Sequence, residues 1–107
     1  MELSFATEEL RGICESRRKA VRRLGVNASQ ALEMVLADMD ACQTVSELES
    51  IYGDLPLAVG TESWELKLDE NIILRFVSGH VRTPTRKSGQ VDRSRVARIR
   101  IEEIEAV

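Results

Sequence analysis

The chain is short of the residues that would mark a metal site or a disulfide scaffold. It has a single histidine, His80, and two isolated cysteines, Cys14 and Cys42. Structural zinc needs clustered ligands, and these three positions supply no such spacing. The cysteines read as buried helix residues in a reducing cytosol rather than as a disulfide. No apolar run approaches the roughly 20 residues that cross a bilayer. The opening Met1-Glu-Leu-Ser-Phe5 has neither the positive n-region nor the apolar h-region of a secretory leader. The expectation is a cytoplasmic protein without a membrane partner and without a cofactor. No linker or internal repeat appears, so residues 1–107 are read as a single domain.

What is present is a balanced globular composition, 43% hydrophobic and 31% charged over 107 residues. That excludes a disordered chain and allows one core of modest size. The net charge of −3 conceals a segregation. Arg11 to Arg23 carries six bases and one acid, Glu33 to Glu70 ten acids and one base, and Arg82 to Arg100 seven bases and one acid. Two basic blocks separated by an acidic one can form a dipolar surface. The overall acidity argues against a protein that coats nucleic acid indiscriminately.

The most informative stretch is Ser63 to Val77. Trp64, Leu66 and Leu68 alternate with Glu65 and Lys67; Ile72, Leu74 and Phe76 alternate with Ile73, Arg75 and Val77. Joined by the turn cluster Asp69-Glu-Asn71, the two runs predict an antiparallel hairpin. One face is apolar, and Trp64 belongs to it as core by parity with Leu66 and Leu68. The other face carries Lys67 and Arg75, two cations on one rigid sheet.

Upstream, Glu2 to Phe5 predicts a short strand. Thr7 is a helix N-cap with Glu8 and Glu9 in the first turn, and one helix is expected to run to Leu24, ended by Gly25. Its stripe is Leu10, Ile13, Cys14, Val21 and Leu24, with Arg17 the one interruption. Asn27 and Gln30 read as a capping box for a second helix whose apolar set is Ala28, Ala31, Leu32, Val35, Leu36 and Met39. Thr44 and Glu47 repeat the cap pattern for a short helix over Val45 to Ile51. Residues 57–62 are expected to be loop, and Gly79 to Asp92 a mobile basic loop. Val96 to Val107 predicts a long strand, or an edge strand with a frayed tail. Helices and strands are segregated, so the fold class is α+β in the order β-α-α-(short α)-β-β-β.

The order and several segments together resemble the RelE/ParE superfamily of bacterial toxins, in its HigB-like killer-protein branch. The matching pieces are Leu10-Arg-Gly-Ile-Cys14 with the basic run to Gly25, the second helix from Gln30 to Met39, and Thr44-Val-Ser-Glu-Leu48. Asp54-Leu-Pro56, the Trp64–Phe76 hairpin, and the closing Pro84-x-Arg-Lys-x-Gly to Arg-Ile101 complete the likeness, which spans nearly the whole chain. The resemblance implies a RelE-like fold and the toxin component of a type II toxin–antitoxin pair. It implies a ribosome-dependent mRNA endonuclease that polarises phosphate with clustered cations on the sheet, together with a helix-turn-helix antitoxin as partner. Carried onto this sequence, Lys67 falls at a basic strand position. Arg75 shares the face of the family's strand arginine, whose own position is Ile73 here. Arg98 and Arg100 add cations from the neighbouring strand, so the expected catalytic set is Lys67, Arg75, Arg98 and Arg100. RNA contacts are expected from Arg82, Arg86 and Lys87 and from Arg18 and Arg22. His80 is a weaker acid/base candidate. The family's terminal Tyr or His is replaced by Ala106-Val107. That leaves two alternatives: a ParE-like inhibitor acting on gyrase by contact, or a degenerate homologue that only binds its antitoxin.

Overall fold

The computed structural model describes residues 1–57 and 62–106; most of the loop expected over 57–62 lies outside them. The described residues form four helices and one four-stranded sheet, an α+β arrangement. The strands are β1 (Glu2–Phe5), β2 (Ser63–Lys67), β3 (Ile72–Ser78) and β4 (Arg98–Ala106), in the order β1-β4-β3-β2. The helices are α1 (Glu8–Glu15), α2 (Arg17–Leu24), α3 (Val26–Ala41) and α4 (Val45–Tyr52), and a short 3-10 turn spans Arg93–Arg95.

The β2–β3 hairpin forms in the register its alternation predicts, with Trp64 opposite Phe76, Glu65 opposite Arg75 and Leu66 opposite Leu74. Asp69 closes the turn by accepting from the Asn71 and Ile72 amides at 2.7 and 2.8 Å, an Asx turn. Trp64, Leu66, Leu74 and Phe76 are buried beneath the helices, and the Trp64 and Phe76 rings stack at 5.4 Å between centroids. From the helical layer, Leu10, Ile13, Leu32, Val35, Met39, Val45 and Leu48 close over them. Each such large side chain contributes about 1.5–3 kcal/mol on burial.

Two local expectations are corrected. The helix expected from Glu8 to Leu24 is two helices, because Ser16 is extended (φ −130, ψ 111) and its hydroxyl accepts from the Lys19 amide as a cap for α2. The break takes Arg17 off the apolar stripe and lets it reach Glu33 at 2.6 Å, while Ala20 rather than Val21 is buried. The Asn27–Gln30 capping box does not form. Gly25, at φ 87, ends α2 and begins α3 at once, so the helix starts before Asn27. Only glycine holds that backbone conformation without strain. The long strand expected at the end of the sequence forms as β4, and over its first part β1 pairs with it in parallel, Glu2 opposite Arg98 through Phe5 opposite Ile101. The caps at Thr7 and Thr44 form as expected.

The basic segment after β3 is tied down at several points. Gly79 donates to the Arg98 carbonyl at 2.8 Å, Thr85 bridges Val91, and Asp92 donates to the Pro84 carbonyl at 2.8 Å. A Cβ on Gly79 would lie 3.3 Å from backbone atoms of Arg98 and Ile99. Paired backbone has little room to yield, so Gly79→Ala should lower stability by about 1–3 kcal/mol, read as a urea midpoint shift. An unchanged midpoint would show that the strands separate freely here.

Both cysteines are free thiols, Cys14 half-buried in α1 and Cys42 buried after α3. Burial, and secondarily the Glu15 charge, pushes the Cys14 thiol up from 9.0 to about 11. The folded chain therefore keeps this thiol neutral where the unfolded chain ionises. Its contribution to stability is complete below pH 9 and lost as pH rises through about 11. Alkylation of Cys14 by iodoacetamide, followed by peptide mass mapping, should be slow at neutral pH and rise toward a midpoint near 11. A midpoint at or below 9.0 would contradict the burial described for this residue.

Candidate nucleic-acid interface

Helices cover one face of the sheet, and the other face is open. Strand alternation sends Glu65 and Lys67 of β2 and Ile73, Arg75 and Val77 of β3 to the open face. On β4 the alternation is broken. Phe76 pairs with Ile101 but Arg75 pairs with Glu103, so Glu102 is one extra residue on β4, a bulge. Before it, Arg98 and Arg100 point to the open face and Ile99 and Ile101 to the core. After it the parity flips: Ile104 returns to the core side opposite Leu74, and Glu103 and Glu105 join the open face.

The four cations expected to act together are thereby separated and mostly neutralised. Arg75 lies between three carboxylates: Glu65 at 3.5 Å, Glu103 at 2.8 Å and Glu105 at 3.1 Å. One positive against three negative charges leaves −2 at the centre of the face (1 − 3 = −2). A phosphate at about 6 Å from such a cluster is repelled by on the order of 1 kcal/mol even in bulk water. Arg98 pairs with Glu2 at 3.1 Å and Arg100 with Glu102 at 2.6 Å. Lys67 is exposed and without an ion pair among the described residues, but it sits opposite Ile73 at the far end from Arg98 and Arg100. It borders a groove of about 530 Å³ whose other wall is Tyr52, Asp54, Leu55 and Pro56.

His80, the expected acid/base candidate, is engaged, and so is the Tyr52 hydroxyl. The His80 Nε2 accepts from the Ala97 amide at 3.0 Å, which uses its lone pair as a structural acceptor. The Tyr52 hydroxyl donates to Asp38 Oδ2 at 2.5 Å. Burial first, then that carboxylate, pushes the Tyr52 phenol above its ordinary range.

The uncommitted cations lie elsewhere. Arg82, Arg86 and Lys87 make no side-chain ion pair or hydrogen bond among the described residues. Thr83 and Val91 of the same segment line a hollow of about 250 Å³ with Val77 and Arg100. The loop thus stands at the Arg98–Arg100 end of the open face. Its tip is closed by Gly89 (φ 88) donating to the Arg86 carbonyl at 2.8 Å. Its base is held by Arg95, which bonds both Asp92 and the Thr85 carbonyl at 2.9 Å. Ser94 and Arg95, donating to the Asp92 carboxylate, hold it below the usual carboxylate range. Arg93 from the same basic block is consumed structurally, bonding Glu49 of α4 and the Leu55 carbonyl. In the helical layer, Arg17 and Arg23 are paired with Glu33 and Glu9, and Arg11 lies over the Phe5 ring at 5.4 Å. Arg18, Lys19 and Arg22 of α2 have no ion pair among the described residues. The five residues expected to contact RNA are therefore all available, in two groups on different layers. Three of the four expected to be catalytic are engaged.

Of the three carboxylates around Arg75, only Glu65 is placed on that face by the sequence pattern. Glu65 was within reach, since the hairpin register puts it opposite Arg75. Glu103 and Glu105 required the bulge, whose one trace is the spacing of three between Ile101 and Ile104.

Replacing Arg75 by Met keeps the stem and leaves the three carboxylates facing one another. The expected loss is about 1–2 kcal/mol in urea unfolding, partly restored by roughly 1 M NaCl through screening. A neutral result with no salt dependence would mean that the cluster is not coupled as its distances indicate.

Compared with protein-family models, curated proteins and solved structures, the chain matches none.

Proposed function

We propose that this chain is a toxin-like component of a type II toxin–antitoxin pair, of RelE/ParE resemblance, which acts by holding RNA rather than by cutting it. The order of one strand, a helical layer and three consecutive strands supports the resemblance. One observation carries the choice of contact over cleavage: the sheet cations Arg75, Arg98 and Arg100 are matched by acids, whereas Arg82, Arg86 and Lys87 are unmatched among the described residues. Phosphate binding needs unmatched cations, because an arginine already paired must break that pair to bind. On this reading the basic loop grips the backbone of RNA presented on the ribosome, with Arg18 and Arg22 of α2 as a second contact. A helix-turn-helix antitoxin is the partner that masks these groups.

A second reading, the mRNA endonuclease, draws on Glu65 standing beside Arg75, with Lys67 on the same face and unpaired among the described residues. A carboxylate there can take the 2′-hydroxyl proton while cations hold phosphate. The −2 charge at Arg75 opposes it.

Binding of a single-stranded RNA 20-mer, measured against salt, separates the readings together with primer extension on translated mRNA. Changing Arg82, Arg86 and Lys87 together to Ala should weaken binding and flatten the log–log salt slope by about 2, at about 0.7 per lost contact. Arg75→Met should leave that slope unchanged, and primer extension should show no ribosome-dependent cuts. Cuts that vanish in Lys67→Ala would restore the nuclease reading. A slope unaltered by the triple change would remove the loop from the interface.

A further inference from the structure

The strand β4 runs to Ala106, but β1 accompanies it only as far as Ile101. The Ala6 amide donates the last bond of that parallel ladder to the Ile101 carbonyl at 2.9 Å, after which the chain turns away into α1. From Glu103 to Ala106, after the bulge at Glu102, β4 is paired with β3 on one side and with no described strand on the other. Sheet edges of this kind offer a row of amide and carbonyl groups to an added strand. The side chains along it alternate, with Glu103 and Glu105 on the open face and Ile104 on the core side, still only partly covered. Glu103 and Glu105 are 49% and 47% exposed, although both reach Arg75.

We propose that the outer edge of β4 from Glu102 to Ala106 takes up an extended, basic segment of a partner protein as a fifth strand. The charge of the edge selects the occupant. A strand laid beside β4 places its open-face side chains next to Glu103 and Glu105, where the net charge is already −2 and a Lys or Arg is favourable. Its core-side residues fall beside Ile104, so apolar residues belong there. A second copy of this chain fits poorly, because pairing the same edge across a two-fold axis would set glutamates against glutamates. RNA is excluded from this strip by the same charge. The site is separate from the basic loop and does not rest on the RNA reading.

The test is an NMR titration of ¹⁵N-labelled protein at low ionic strength with the hexapeptide Lys-Val-Lys-Val-Lys-Val, and with Glu-Val-Glu-Val-Glu-Val as its counterpart. The lysine peptide should shift and protect from exchange the amides of residues 102–106 and the end of β1, leaving residues 82–90 unmoved. The glutamate peptide should have no effect. Glu103→Gln with Glu105→Gln should weaken the lysine peptide by about tenfold. Glu103→Lys with Glu105→Lys should transfer the preference to the glutamate peptide. Equal binding of both peptides, or shifts centred on another surface, would overturn the proposal. So would protection of the edge that grows with protein concentration alone, which would identify a second copy as the occupant.

Discussion

Ile101 and Ile104 are three residues apart on one strand, and both belong on the covered side of the sheet. A strict period of two cannot deliver that, so β4 takes one extra residue at Glu102 and changes phase. Everything notable about the open face follows from that step. Without it Glu102 and Ile104 would follow Arg98 and Arg100 onto the open face, and Glu103 and Glu105 would turn away from Arg75. With it, Glu103 and Glu105 come up beside Arg75, and the middle of the sheet becomes acidic. The demand to bury one isoleucine has thus set the charge of a surface.

How far the chain could be read from its residues depends on whether each decision was local. The β2–β3 hairpin, its covered face, the stripe of α3 and the caps at Thr7 and Thr44 were legible because periodicity and neighbouring hydrogen bonds determine them. The Ser16 break was decided by a cap that competes with helix continuation, and Arg17 off-stripe was its only trace. Parallel pairing of β1 with β4 joins residues at opposite ends of the chain, and no local pattern reports it. The candidate site divides the same way. Which residues are basic and which face they occupy was readable. Whether each cation is free depended on the register of a bulged strand.

The charge blocks of the sequence are therefore not charge patches of the fold. Of the seven bases from Arg82 to Arg100, four are spent on partners within the chain: Arg93 on Glu49, Arg95 on Asp92, Arg98 on Glu2 and Arg100 on Glu102. The more exposed of these, such as Arg98 with Glu2, contribute little to stability individually. Their larger effect is to decide where positive potential remains. It survives at the loop tip and along α2, at two separate stations rather than in one trough.

The loop that carries one of those stations is stapled at its root: Gly79 is bonded to β4, His80 receives the Ala97 amide, and Arg95 spans to Thr85. A flexible basic arm gives up much conformational freedom when it wraps a polyanion, and that loss is subtracted from its affinity. Here the backbone carrying Arg82, Arg86 and Lys87 is ordered in advance. The spacing between its charges is a property of the free protein, so whatever docks there must match a ruler and cannot reshape one.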